Sequence, residues 1–215
     1  MHPLEDCLLY AFVDTAWLDN RPPVEMAHQL CDGGVDLIQL RAKDHSRDNI
    51  QRMAEDLLTV TEAAGVGLVV NDHPGIAAEV GAPLAHLGQE DFFDPGHSHV
   101  DEVCPPGSML KIGLSTHAPE QAERAMAAGA DYIAIGPVFA TPTKPGRPPV
   151  TLDYVRWAST NVHRPWFAIG GIDLETLDSV LEAGARRICV VSAILDTPAP
   201  AHACRRFKER IVSAR

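Results

Sequence analysis

The sequence predicts an α/β protein folded as a single-domain (β/α)8 TIM barrel over residues 1–215. Short apolar runs alternate with helical patterns along the whole chain, as in successive βα units. Several of these runs are apolar without alternation, which is typical of parallel strands covered on both faces. A weak repeat of helix end, glycine and strand also recurs, in "DGGVDLIQL", "VGAPLAHLG", "AGADYIAIG" and "AGARRICVV".

Eight strands and at least five helices are predicted in order. The strands are 8–13, 36–40, 67–70, 84–87, 109–114, 131–136, 166–170 and 187–191, and the clearest helices are 24–32, 46–64, 119–128, 173–183 and 199–213. Pro119 stands at a first helical position, and Gly129 follows the end of that helix. The repeat glycines Gly81, Gly129 and Gly184 suit left-handed helix caps. The segment 92–107 is the least regular. An open doubly wound sheet is the alternative, but it usually has fewer strands at this length.

The composition is that of an ordinary globular protein, with 46% hydrophobic and 22% charged residues. The formal net charge of -11 gives no electrostatic support to nucleic-acid binding. Five scattered cysteines without a C-x-x-C motif, and no leader pattern at "MHPLEDCLLY", predict reduced thiols in a cytoplasmic protein. No apolar run approaches about 18 residues, so no membrane partner is expected. A homo-oligomer is left open.

Hydrogen-bond donors or acidic groups follow seven of the eight predicted strands. This matters because a (β/α)8 barrel forms its active site at the carboxyl ends of its strands. In chain order the groups are Gln39, Arg41 and Lys43; Asn71 and Asp72; Gln89 and Asp91; Ser115 and His117; Thr141, Thr143 and Lys144; Gly170 and Gly171; and Val191 and Ser192. Together they predict one site.

These groups sort by charge. Arg41, Lys43 and Lys144 are cations with several donors, suited to a polyanion such as pyrophosphate. Asp72 and Asp91 follow adjacent strands and suit Mg²⁺, which takes a few carboxylates together with phosphate oxygens of a substrate. The sequence therefore predicts an anion site beside a metal site.

A second anion site is predicted from the rigid loop "TPTKPG" (141–146) and the last two strand ends. Prolines and glycine exclude helix and central strand from this loop, so its two threonine hydroxyls are held in fixed positions. Gly171 and the "VSA" turn at 191–193 offer backbone N–H groups at helix starts, a common phosphate position in this fold. Two phosphorylated small-molecule substrates are the expected ligands.

Along nearly its whole length the chain resembles the thiamine phosphate synthase family. The motifs that carry the resemblance are "GGVDLIQLRAKD", "VVNDHPGIA", "HLGQED", "KIGLSTH", "DYIAIGPVFATPTKPG", "AIGGI" and "VVSAI". The resemblance implies three groups of ligands. Gln39, Arg41, Lys43, Asn71, Ser115 and Lys144 would bind the diphosphate of hydroxymethylpyrimidine pyrophosphate, Asp72 and Asp91 would bind Mg²⁺, and Thr141, Thr143, Gly171, Val191 and Ser192 would hold thiazole phosphate.

The implied reaction joins the thiazole nitrogen to the pyrimidine methylene and releases pyrophosphate. An electron-rich aminopyrimidine can stabilise a methylene cation, so a dissociative path is expected and little acid–base work remains for the protein. Catalysis would then come from positioning and from charge stabilisation by Lys144, Ser115 and Arg41. Ser115 is expected to donate a hydrogen bond rather than to act as a nucleophile.

Alternatives stay open from the sequence. A thiazole tautomerase of similar fold would use His117 as its acid–base residue and would not need the cations and carboxylates. A non-catalytic sensor of phosphorylated ligands is a second alternative. Asp72 could instead cap a helix that begins at Pro74. His86 is expected to pack inside the barrel, and the pair in "GHSH" (97 and 99) is expected to lie away from the site.

Overall fold

The computed structural model describes residues 1–141 and 148–214. In this part of the chain, eight parallel strands close a barrel in sequence order, which confirms the predicted fold. They are β1 (Leu9–Asp14), β2 (Leu37–Arg41), β3 (Gly67–Asn71), β4 (Leu84–Leu87), β5 (Lys111–Thr116), β6 (Tyr132–Ile135), β7 (Trp166–Ile169) and β8 (Ile188–Cys189). The last strand pairs with the first, with Leu9 opposite Ile188. Closure leaves no free edge in the sheet.

Helices connect the strands on the outside of the barrel. Those described are α1 (Pro23–Asp32), α2 (Arg47–Ala64), α3 (Pro74–Val80), α4 (Gln89–Phe93), α5 (Pro119–Ala127), α6 (Thr151–Asn161), α7 (Leu177–Glu182), α8 (Ser192–Leu195) and α9 (Pro200–Ser213), with short 3-10 helices at Thr15–Trp17 and Val100–Val103. Pro119 is the first residue of α5, as predicted. Gly81, Gly129 and Gly184 all have the left-handed backbone expected of them, with φ of 80°, 84° and 105°.

Two predicted strands differ from the structure by two residues at one or both ends, and the ends of the other six differ by at most one residue. The strand predicted from residue 109 begins at Lys111, because the Met109 side chain projects into solvent and is 92% exposed. The strand predicted to reach residue 191 ends at Cys189. Val191 leaves extended geometry, with φ -115° and ψ -86°, and becomes the N-cap of α8. The chain therefore turns toward the mouth of the barrel two residues earlier than predicted.

The barrel interior is built around three aromatic rings. Tyr10, Tyr132 and Phe167 are almost completely buried and meet edge to face, with ring centroids 5.3 to 6.2 Å apart. Edge-to-face contacts of this kind stabilise a core beyond the effect of burial alone. This layer forms a solid floor beneath the carboxyl ends of the strands.

Among the described residues, no helix has both the length and the apolar character needed to cross a membrane.

Candidate active site

An open pocket lies at the carboxyl ends of the strands, with about 870 Å³ of empty space including its mouth. Every described residue that the resemblance assigns to a ligand lines it. These are Gln39, Arg41, Lys43, Asn71, Asp72, Asp91, Ser115, Thr141, Gly171, Val191 and Ser192. Gln89, in contrast, is outside the lining and donates to the Ser115 carbonyl oxygen at 2.7 Å. The predictions for Thr143 and Lys144 fall outside the described residues. Side chains and turns from seven strand ends thus meet in one concave site, which is the usual form of a small-ligand site.

Arg41 is held by a carboxylate that the sequence reasoning missed. Asp14 ends β1 directly opposite Arg41 in the β1–β2 register, and its Oδ2 lies 2.8 Å from the Arg41 Nη1. The Asp14 side chain is 1% exposed, and its Oδ1 accepts a hydrogen bond from the backbone N–H of Ala16 at 3.1 Å. Because both carboxylate oxygens are engaged, the guanidinium is fixed at the pocket wall with only 15% of the side chain exposed.

Asp72 occupies the pocket and does not cap the helix that follows it. His73 is the N-cap of α3, and no side chain makes a capping hydrogen bond there, so the capping alternative is wrong. The Asp72 backbone is left-handed at φ 61°, a conformation that aspartate tolerates better than most residues. Its Oδ2 lies 3.3 Å from the Lys43 Nζ. A predicted metal ligand and a predicted diphosphate ligand therefore form an ion pair.

Asp91 is the second carboxylate of the pocket and lies in the first turn of α4. Within residues 1–141 and 148–214, no group of three or more His, Cys, Asp or Glu side chains is placed to hold a metal. Two carboxylates beside an anion site nevertheless fit Mg²⁺. This ion is usually held by one or two carboxylates, several waters and the phosphates of a substrate, rather than by an all-protein cage.

The last two strand ends form a wall with little side-chain bulk. Gly171 has φ 64°, and a Cβ there would lie 2.6 Å from the Ala140 carbonyl oxygen, so only glycine fits without a shift. Val191 is the N-cap of α8 and Ser192 its first residue, and both line the pocket. The first turn of a helix has N–H groups without intrahelical acceptors, so a phosphate can find backbone donors at this wall.

Ser115 contacts His86, which also lines the pocket, and this contact was not foreseen. His86 Nε2 lies 2.9 Å from Ser115 Oγ, and the ring is buried inside the barrel as predicted. The other ring nitrogen, Nδ1, lies 3.1 Å from the Tyr132 hydroxyl. In a serine-nucleophile triad a carboxylate would occupy that position and stabilise the imidazolium. A phenol cannot do so, which supports the donor role expected for Ser115.

His117 also lines the pocket and is anchored at both its ring and its backbone. Its Nδ1 contacts the carbonyl oxygen of Gly136, and its backbone N–H donates to Gln121 Oε1 at 2.7 Å. Since a carbonyl only accepts, Nδ1 carries a proton. His97 and His99 are outside the pocket lining, and His99 Nδ1 accepts from the Asp101 backbone N–H as a cap of the Val100–Val103 turn.

Cys189 lines the pocket but is not poised as a nucleophile. The residue is 2% exposed, and burial raises the pKa of its thiol. The thiolate is the reactive form of cysteine, so this side chain remains an inert apolar part of the wall.

Comparison with known proteins adds three findings. The profile of the family described as thiamine monophosphate synthase matches residues 9–194. A thiamine-phosphate synthase from Thermus thermophilus is 50% identical over 180 residues, covering 83% of this chain and 84% of that protein, and one from Acidothermus cellulolyticus is 42% identical over 98% of both. The solved structure of a thiamine phosphate pyrophosphorylase from Pyrococcus furiosus superposes with a TM-score of 0.86 at 27% identity, covering 98% of both chains.

Proposed function

The chain belongs to the thiamine monophosphate synthase family, and on that premise we propose that it is a transferase that makes thiamine phosphate. It would couple 4-amino-2-methyl-5-hydroxymethylpyrimidine pyrophosphate with thiazole phosphate and release pyrophosphate. One observation in particular supports this. A single pocket gathers two cationic side chains, two carboxylates and a wall of backbone donors, so it can receive a diphosphate, a divalent cation and a second phosphate together.

We assign the pocket residues to three roles. The pyrimidine diphosphate is bound by Gln39, Arg41, Lys43, Asn71, Ser115 and Lys144, Mg²⁺ by Asp72 and Asp91, and thiazole phosphate by Thr141, Thr143, Gly171, Val191 and Ser192. For Thr143 and Lys144 the assignment rests on the sequence alone. For the others it is supported by their common position in the pocket lining.

The reaction requires stabilisation of charge on the leaving group more than it requires proton transfer. The bond between the pyrimidine methylene and the diphosphate oxygen breaks, and the electron pair leaves with the diphosphate. The thiazole nitrogen then donates its lone pair to the methylene, and no proton needs to move. Mg²⁺ would supply a further positive charge beside the leaving group. Arg41 is already oriented by Asp14, and groups oriented before the reaction lower the barrier without reorganising.

Neither alternative accounts for the pocket as well. A tautomerase would use His117, which does line the pocket. Its proton-transfer reaction would not require the cations and carboxylates that line the same pocket, which are Arg41, Lys43, Asp72 and Asp91. A non-catalytic sensor of phosphorylated ligands would not account for the 42–50% sequence identity to thiamine-phosphate synthases.

The reaction is also expected in the cytoplasm. All five cysteines are free thiols in the structure, as is usual in a reducing compartment.

The direct test is incubation of the purified chain with both substrates and Mg²⁺, with detection of thiamine phosphate by mass. The Asp72→Asn variant is the matched control, because it keeps the shape of the side chain and removes its charge. We expect product with the unaltered chain and a large loss with the variant. Absence of product from a folded chain that binds both substrates would overturn the proposal in favour of a sensor.

A further inference from the structure

We infer that Tyr10, Tyr132 and His86 are positioning residues, a buried hydrogen-bond relay that holds Gln39 and Ser115 as donors toward the pyrimidine diphosphate. The inference rests on the proposed function, since it takes Gln39 and Ser115 as ligands of that substrate. None of the three is the last residue of its strand, and the charge-stabilising mechanism described above does not use them.

The relay is continuous from Gln39 to Ser115. Gln39 Nε2 donates to the Tyr10 hydroxyl at 2.5 Å, and the Tyr10 and Tyr132 hydroxyls lie 3.3 Å apart. The Tyr132 hydroxyl is 3.1 Å from His86 Nδ1, and His86 Nε2 is 2.9 Å from Ser115 Oγ. Two side chains of the pocket lining, Gln39 on β2 and Ser115 on β5, are thereby joined through the barrel interior.

The direction of the protons follows from counting donors. Tyr10 accepts from Gln39, so its own proton is directed to Tyr132, which in turn donates to His86 Nδ1. The proton of a neutral imidazole must then lie on Nε2, and it is donated to Ser115 Oγ. Ser115 accepts this bond, so its own hydroxyl proton is available to the pocket. Gln39 has a second N–H for the same purpose.

The opposite direction would be wrong for an anion. If the Gln39 carbonyl faced Tyr10, each proton in the relay would point the other way, and Ser115 would donate into His86. The Ser115 oxygen would then present lone pairs, and no proton, to the diphosphate. The direction described above, set by the Gln39 donation to Tyr10, therefore leaves Ser115 able to donate to an anionic substrate.

The hydroxyl groups are not needed for packing. Tyr132 is completely buried, and its ring passes over Gly113, where a Cβ would lie 2.0 Å from the ring. Phenylalanine would fill the same space, and leaving a polar group in an apolar core is costly unless it is hydrogen-bonded. Burial raises the pKa of both phenols, so they remain protonated and able to donate. Polar atoms are retained here at a site where a purely apolar floor would pack as well.

The test begins with Tyr132→Phe and Tyr10→Phe, which each remove one hydroxyl and keep the ring. We expect kcat/KM for the pyrimidine substrate to fall about 5- to 20-fold, the scale of one ordered hydrogen bond. The KM for thiazole phosphate should change less than twofold, because its assigned residues are not connected to the relay. Phe167→Leu is the matched control, since Phe167 packs on both tyrosines but carries no polar atom.

Two substitutions of His86 test the hydrogen bond between the relay and Ser115. His86→Gln can place an N–H near the Nε2 position and keep the bond to Ser115, whereas His86→Asn reaches only the Nδ1 position and loses it. We expect Gln to rescue pyrimidine kcat/KM at least threefold over Asn at matched thermal stability. Equal activity of the two variants would overturn the inference. So would a Phe167→Leu control that lowers pyrimidine kcat/KM as much as Tyr132→Phe does at the same melting temperature.

The failure of this inference is distinct from failure of the proposed function. If the unaltered chain forms no thiamine phosphate, the proposed function fails and the relay loses its basis. If the unaltered chain is active while both tyrosine variants keep pyrimidine kcat/KM within twofold, only the relay is refuted.

Discussion

Replacing Asp14 with asparagine removes the charge that faces Arg41 while nearly preserving the size of the side chain. The 2.8 Å contact corresponds to a gross attraction of about 6 kcal/mol at an effective dielectric constant of about 20. Most of this is offset by the cost of burying Asp14, and Arg41 can gain some hydration from the open pocket. We therefore expect a net loss of about 1–3 kcal/mol in the free energy of unfolding, the value of a hydrogen bond to a charged group.

The functional effect of Asp14→Asn should appear in kcat more than in KM. The pocket becomes more positive, which favours ground-state binding of the diphosphate, but the guanidinium loses its fixed orientation. We expect kcat to fall about 10- to 100-fold, less than the roughly 10²–10³-fold cost of deleting a preorganised donor. The pyrimidine KM should stay within about threefold, because the gain in charge and the loss of orientation oppose each other.

Steady-state kinetics and thermal melts of Asp14→Asn, Arg41→Ala and the double variant provide the assay. At roughly 2–4 °C for each kcal/mol in a chain of this size, the melting temperature should drop by about 2–12 °C. If Asp14 acts through Arg41, its substitution should have little further effect on kcat in the Arg41→Ala background. An unchanged kcat in Asp14→Asn, or fully additive effects in the double variant, would refute the reasoning.

Three further outcomes are expected. Exhaustive chelation should abolish coupling and readdition of Mg²⁺ should restore it, because two carboxylates at the diphosphate site need a cation between them and the substrate; full activity after chelation would contradict this. Thr143→Val should raise the apparent KM for thiazole phosphate much more than that for the pyrimidine substrate, and equal shifts would show the assignment to be wrong. Lys144→Ala should lower single-turnover rates about 10²–10³-fold and His117→Gln about tenfold or less; the reverse order, at matched thermal stability, would favour the tautomerase.

The fold could be predicted because its signals are local and repeated. Each apolar run, glycine cap and amphipathic helix is visible within about 25 residues, the length of one βα unit in a compact barrel. The helices α3, α4, α6 and α8 were not among the clearest patterns. Three of them have seven residues or fewer, too few to show a helical period. Tertiary contacts decide the ends of such short elements.

The pocket residues could be predicted because strand ends converge by topology, but their partners depend on register. Asp14 directly follows the predicted strand 8–13, yet its link to Arg41 exists only because β1 and β2 pair with those two residues opposite each other. Tyr10 and Tyr132 are 122 positions apart, and barrel closure brings their hydroxyls together. Periodicity identifies such residues as core without indicating which polar atoms meet there.

The ion pairs of the pocket explain how an acidic chain can bind anionic substrates. With a formal net charge of -11, the protein repels a diphosphate at long range. In the structure Asp14 pairs with Arg41 and Asp72 pairs with Lys43. Both cations are therefore already oriented, but their positive charges are partly neutralised by the carboxylates. Lys43 is about half exposed, so its ion pair with Asp72 contributes little to stability and is easily exchanged.

A diphosphate that arrives with a divalent cation offers a better partner to each of these two side chains at once. The anion can take Lys43 and the metal can take Asp72. Binding of the two should therefore be mutually favourable, and neither should bind as well alone.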